Sequence, residues 1–232
     1  MKSLKSAAVA ITLGFLSLSA WADSLVPETG QTSCFDTSGI EIICSGTGQD
    51  GDLRAGVKWP TPRFTDNGNG TVTDRLTGLM WVQSVLCFQG DWSAALTHAN
   101  GLAAGTCGLA DGSVAGDWRL PNIRELSSLT DYGENAPALP AGHPFLPAGV
   151  QNPTLWSSTT KVGDPVEAWR MVLGTGGISA NDKITLSNTY AWAVRDATQS
   201  SDGIDNDGDG RIDLDDRQCR SLDQNSERHP LF

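Results

Sequence analysis

The twelve residues from Asp205 to Asp216, DNDGDGRIDLDD, carry oxygen donors at the spacing by which a hard divalent cation is wrapped. Asp205, Asp207, Asp209 and Asp213 fall at loop positions one, three, five and nine, and Asp216 closes the loop at twelve. Arg211 at position seven lends its main-chain carbonyl. Gly210 at position six permits the sharp turn, and Ile212 at position eight anchors the loop. Without a cation these carboxylates repel one another and hold the segment open; with one, repulsion becomes coordination. The expected cofactor is therefore Ca²⁺. Asp216 is a shorter arm than the bidentate glutamate usual at position twelve, which points to the roughly 10⁻⁴ to 10⁻³ M range of extracellular modules. The flanks, TQSSDGI and RQCRSLDQN, lack amphipathic helices, so this is a single loop and not half of a paired helix-loop-helix sensor.

Other reactive groups are sparse. The three histidines form neither an H-x-x-x-H nor an H-E-x-x-H pair, and G-x-S-x-G and phosphate-cradling glycine loops are absent. The chain is not expected to be an enzyme. Five cysteines are present. Cys34 and Cys44 flank a turn-rich segment, and Cys87 and Cys107 flank a predicted helix, which pairs each couple as a disulfide and leaves Cys219 over.

The N-terminus bears on where these groups work. Lys2 and Lys5 precede an apolar run from Ala7 to Leu18, and Ala20-Trp21-Ala22 follows, the pattern of a secretory signal ending at residue 22. No later segment approaches the roughly 20 apolar residues of a transmembrane helix. The expected product is exported: secreted, held at the cell surface or in a periplasm, where disulfides persist. The formal charge is -11, and losing two lysines with the leader leaves fourteen basic against 27 acidic residues, or -13. That balance disfavours nucleic acid, anionic lipid and sulfated polymers as partners.

The elements that must carry the loop read as follows. Residues 23–62, rich in Gly, Ser, Thr and Asp, form an irregular lead-in pinned by Cys34 and Cys44. In FTDNGNGTVTDRLTGLMWV, Asn67-Gly68 and Asn69-Gly70 supply turns, so a hairpin leads into a buried strand at Leu79 to Val82. DWSAALTHANGLAAG predicts a helix capped by Asp91 and stopped at Gly105, with Trp92, Ala95, Leu96, Ala99 and Leu102 on the core side and His98 on the polar side. Asn122 and Glu125 in WRLPNIREL form a capping box for a second helix. Five prolines between Gly133 and Pro153 exclude a regular element there. WSSTT, AWRMVLG, KITLSN and YAWAVRD then read as short strands, with Ala168-Trp169 and Ala191-Trp192 suggesting neighbouring strands. Arg119 and Arg195 are expected to pair with Glu125 or Asp196. The fold class predicted is α+β, two helices with short antiparallel strands over residues 63–196, followed by an acidic calcium-loop tail over 197–232.

These motifs carry a likeness. The run from Cys34 to about Asp196, with GTGQDG, FTDNGNGTVTDRLTGLMW, GDWRLPNIRELSSL, HPF at His143 to Phe145, WSSTT and AWAVRD in order, resembles the Lcl C-terminal domain family. That family takes its name from a collagen-like bacterial adhesin. The resemblance implies a compact C-type-lectin-like domain on an exported or surface bacterial protein, with an adhesive role. The tail resembles the single calcium loops of dockerins and thrombospondin type 3 repeats. The functional expectation is a secreted or cell-surface binding and adhesion module for a polysaccharide or protein ligand, with a calcium-stabilised C-terminal loop. The alternative is a structural envelope component or spacer that assembles, as an oligomer, through its tail.

Overall fold

The computed structural model describes residues 26–146, 152–185 and 188–197. In chain order these hold β1 (Cys34–Phe35), β2 (Glu41–Ile42), α1 (Asp50–Leu53), β3 (Phe64–Asp66), β4 (Thr71–Asp74), β5 (Leu79–Val82), β6 (Phe88–Gln89), α2 (Trp92–Gly101), α3 (Ile123–Ser128), β7 (Thr154–Thr160), β8 (Glu167–Val172), β9 (Gly177–Asp182), β10 (Thr189–Ala191) and β11 (Val194–Asp196). They form three sheets: β1-β2, a five-stranded sheet in the order β6-β10-β7-β8-β9, and a four-stranded sheet in the order β11-β5-β4-β3.

The four-stranded sheet is antiparallel throughout and grows from local turn chemistry. The β3-β4 hairpin closes through Gly68 and Gly70, both with positive φ, and Asp66 accepts the Gly68 N–H to shape the turn. At Gly70 a side chain is excluded outright, because a Cβ would stand 2.2 Å from the Gly108 carbonyl oxygen. All eight residues of β4 and β5 are buried. In the five-stranded sheet β10 runs parallel to β7 and every other pair is antiparallel.

The chain passes from the larger sheet to the smaller between β10 and β11, and Trp192 sits at that step. Its indole N–H donates to the Val82 carbonyl at 2.7 Å, and its ring meets Trp81 at 4.9 Å and Phe145 at 4.8 Å. Trp81, Trp118, Trp156 and Trp192 are all fully buried. Full burial of one such ring contributes about 3 kcal/mol or more, which makes this seam the centre of the core. The helices pack on the larger sheet, α2 against β6, β7 and β10, and α3 against β7 and β8. Asp91 caps α2 by accepting the Ala94 N–H, and the capping box of α3 is complete, with Asn122 accepting from Arg124 and Glu125 and Glu125 accepting the Asn122 N–H.

The structure corrects the predicted fold class. Eleven strands in three sheets dominate the described residues, while the helices span only four, ten and six residues. The architecture is mainly β, not the two-helix, C-type-lectin-like α+β fold expected. The helices stand where their caps place them, but they are short. α2 stops at Gly101 because Leu102 turns to extended backbone, and the Thr106 hydroxyl donates to the Ala103 carbonyl beyond it. The two-residue strands β1, β2 and β6 are too short to show a period of two, so alternation understates the sheet content. KITLSN is likewise corrected: the strand is GISAND, and Lys183 and Ile184 lie in a turn. Trp169 and Trp192 are not on neighbouring strands, since β7 separates β8 from β10 and Trp192 lies just beyond β10.

A candidate ligand cleft between the lead-in and the domain

Asp205, Asp207, Asp209, Arg211, Asp213 and Asp216 lie outside the described residues. Among the described residues is a cleft of about 370 Å³. One wall is Glu28 with residues 59–64, and the other is the turn from Pro140 to His143. Glu28 and residues 59–62 of the first wall fall in the lead-in that the sequence reads as irregular, Arg63 and Phe64 in the domain that follows, and no cleft between them is evident from the sequence. The available signal was the concentration of a tryptophan, two prolines and an arginine in WPTPR.

The lead-in is held against the domain by contacts distant in sequence. The Glu28 N–H donates to the Val57 carbonyl and the Val57 N–H to the Val26 carbonyl, a parallel bridge centred on Pro27, and the Trp59 indole N–H donates to the Glu28 carbonyl at 3.0 Å. The Tyr132 N–H donates to Thr29. Gly30, with φ of +84°, fits between Asp131 and the Trp59 ring where a Cβ would stand 2.2 Å from the Asp131 carboxylate. Burial pushes the Asp131 carboxyl up from its ordinary value, against the Gly133 N–H that favours its charged form. The facing wall is a four-residue turn closed by the His143 N–H to the Pro140 carbonyl at 3.1 Å, with Gly142 at φ +77° in the position that favours glycine.

Arg63 forms the floor. Its Nε and Nη2 donate to the two Asp74 carboxylate oxygens at 3.1 and 3.0 Å, and Nη2 also donates to the Ser128 carbonyl at 2.6 Å. The guanidinium lies 4.7 Å from the Trp59 ring centroid and 4.8 Å from that of Phe64. Asp74 is fully committed, accepting also from the Leu76 N–H and the Thr77 hydroxyl. The Arg63 charge is thus neutralised within the protein, and Glu28 is left as the charge that decides the cleft's sign. Burial lowers the pKa of His143, so its imidazole is neutral at neutral pH. Rings, prolines, a neutral imidazole and one carboxylate suit an uncharged or basic group, held by apolar contact and a few hydrogen bonds.

The tryptophan-arginine motifs serve the fold instead. Arg119 donates through Nη1 and Nη2 to both Glu125 oxygens at 2.8 and 2.7 Å and reaches Asp196 at 3.3 Å. Burial alone would raise the Glu125 pKa, but the Arg119 and Asn122 hydrogen bonds and the arginine's charge bring it below its ordinary value. Arg195 lies over the Trp118 ring at 4.9 Å, and its ion pair is with Asp111 at 3.2 Å. Both predicted disulfides are present, Cys34–Cys44 and Cys87–Cys107 with Cα separations of 5.1 and 5.6 Å.

A sheet-dominated domain with capped helices, a buried tryptophan seam and an aromatic cleft at its N-terminal margin is what the geometry defines. The family model of the Lcl C-terminal domain matches residues 70–195, more than half of the chain, and the chain belongs to that family. No curated protein matches it. The match starts at the β3-β4 turn, so it includes the Pro140 to His143 wall of the cleft and excludes the wall built from Glu28 and residues 59–64.

Proposed function

We propose that this chain is an exported, adhesive binding module that takes an uncharged or basic group of a polysaccharide or protein ligand in the cleft between Trp59 and His143, while its C-terminal loop holds Ca²⁺. The observation that carries the reading is the cleft's composition: its one arginine is neutralised by Asp74, which leaves the Glu28 carboxylate to repel anionic ligands. The net charge of -11 acts in the same direction. Export is supported by the leader-like N-terminus and by the two disulfides. No helix among the described residues is long and apolar enough to cross a membrane. The rings, prolines and few polar groups that line the cleft supply contact surface, which supports a binding role.

The test is a binding screen of the full chain on neutral, amino and sulfated oligosaccharides and on basic peptides, with calcium and with chelator. Ala141→Trp fills the cleft from an exposed position and is run in parallel. Neutral or basic ligands should be retained by the wild type and weakened about tenfold or more in the variant, at an unchanged melting temperature. A preference for sulfated ligands, or binding indifferent to Ala141→Trp, would sink the assignment. For the loop, calorimetry should show saturable binding of about one Ca²⁺, lost when Asp205 and Asp207 are both changed to Asn.

A further inference from the structure

On another face, Cys87, His98 and Cys107 bring two sulfur atoms and an imidazole nitrogen within 4.8 Å of one another. Three separate pieces of the fold place them. Cys87 immediately precedes β6, whose Phe88 is registered on Ala191 of β10. His98 lies in the last turns of α2. Cys107 occupies the turn after that helix, where the Leu109 N–H donates to the Thr106 carbonyl at 2.8 Å. The Phe88 and His98 rings stack at 4.3 Å with an interplanar angle of 13°, which fixes the imidazole plane. His98 Nε2 then lies 3.8 Å from Cys107 Sγ. The sequence alone had made His98 a solvated helix residue. In the structure it is partly covered, lying against Phe88 and the Cys87–Cys107 bridge.

The two sulfurs are bonded to each other in this structure, so the separation that bears on a metal is the 3.8 Å from His98 Nε2 to Cys107 Sγ. With zinc bonds of about 2.3 Å to sulfur and 2.0–2.1 Å to nitrogen, a tetrahedral site holds its S and N donors roughly 3.6 Å apart. Thiolate and imidazole donors select borderline and soft cations over Ca²⁺ or Mg²⁺. Cys87 is exposed, so the bridge is open to an external reductant. We propose that, once the Cys87–Cys107 disulfide is reduced, Cys87, Cys107 and His98 form a three-ligand site for Zn²⁺ with its fourth position open to water.

The chemistry balances without a further partner. A dithiol reductant gives two electrons and two protons to the S–S bond and leaves as a disulfide, and the protein is left with two thiols. Zn²⁺ then displaces both thiol protons, and the two thiolates offset the cation's charge while His98 contributes a neutral nitrogen. In the oxidised protein each sulfur is bonded to the other and the cation has no site. The same three residues are therefore a structural bridge in an oxidising compartment and a metal centre in a reducing one.

The experiment uses the full chain under anaerobic conditions, with and without a phosphine reductant, titrated with Co²⁺ as the spectroscopic stand-in for zinc. The reduced protein should develop a thiolate-to-cobalt charge-transfer band that saturates near one equivalent and bleaches on adding Zn²⁺; the unreduced protein should not. The acidic tail also carries Cys219 and His229, so the titration is repeated in Cys219→Ser, where the band should persist. His98→Ala, checked in its oxidised form for an unchanged melting curve, should weaken binding about tenfold or more. If that variant does not fold, alkylation of the reduced wild type decides the matter: Zn²⁺ should protect Cys87 and Cys107 while Cys34, Cys44 and Cys219 react. Absence of the band in reduced wild type, equal affinity in folded His98→Ala, or no zinc-dependent protection of Cys87 and Cys107 would overturn the proposal.

Discussion

Arg63 and Arg119 each grip a carboxylate through two nitrogens, yet their surroundings differ. The Arg63 and Asp74 side chains are 3 % and 0 % exposed, whereas those of Arg119 and Glu125 are 42 % and 17 % exposed. Water screens the second pair and not the first. Hydrogen-bond count would rank them as equals; burial does not. The buried pair joins the lead-in to β4 and to the end of α3 through the Ser128 carbonyl, so its loss would open the seam that floors the cleft. The exposed pair steadies one helix start.

The comparison is broken most forcefully at Arg63. Arg63→Ala or Asp74→Ala leaves an uncompensated buried charge, and each should cost about 3–5 kcal/mol in urea unfolding. Changing both, as Arg63→Met with Asp74→Leu, should recover a large part of that loss, because the stranded charge is gone. A single-variant cost near that of a surface pair would remove the distinction.

Glu125→Ala comes next, at about 1–2 kcal/mol, since it removes the return hydrogen bond of the capping box along with a partly screened ion pair. This contribution depends on pH in a defined sense. The folded-state pKa of Glu125 lies below the ordinary 4.5, so its charged form is favoured by folding. The stabilisation is present above about 4.5 and is lost as pH falls through the lower folded value. The gap between wild type and Glu125→Gln, followed by thermal melts across acid pH, should therefore narrow on acidification. A gap that widens would place the stabilisation in the neutral form.

The smallest effect belongs to Asp196→Ala. Its side chain is 83 % exposed and only completes the Arg119 cluster at 3.3 Å, so the expected change is about 0.5 kcal/mol or less, diminishing further with added salt.

Much of the local structure was legible. Asn67-Gly68 and Asn69-Gly70 marked the β3-β4 hairpin, Asp91 and Asn122 marked two helix starts, and both disulfides followed from cysteine spacing. Each depends on groups within about twenty residues, whose turn and capping chemistry operates wherever the segment is placed. The cleft was not legible. Glu28, Arg63 and His143 are widely separated along the described chain, and their meeting depends on how the lead-in packs against the domain. His98 was misread for a related reason: helical periodicity assigns a face, but it does not reveal that β6 will set Phe88 over that face and that the following turn will bring Cys107 beneath it.

By itself the sequence determined the segments: which stretches turn, where two helices begin, which cysteines bridge, and which family the chain joins. The calcium loop from Asp205 to Asp216 is a reading of the same local kind, awaiting its calorimetric test. Only the tertiary structure decided that sheets and not helices define the fold, that Arg63 is neutralised from within, and that His98 faces a disulfide. The physical reason is range. Turns, caps and short loops are governed by hydrogen bonds between near neighbours, whereas sheet order, burial and the convergence of side chains depend on contacts whose energies emerge when the whole chain excludes water together.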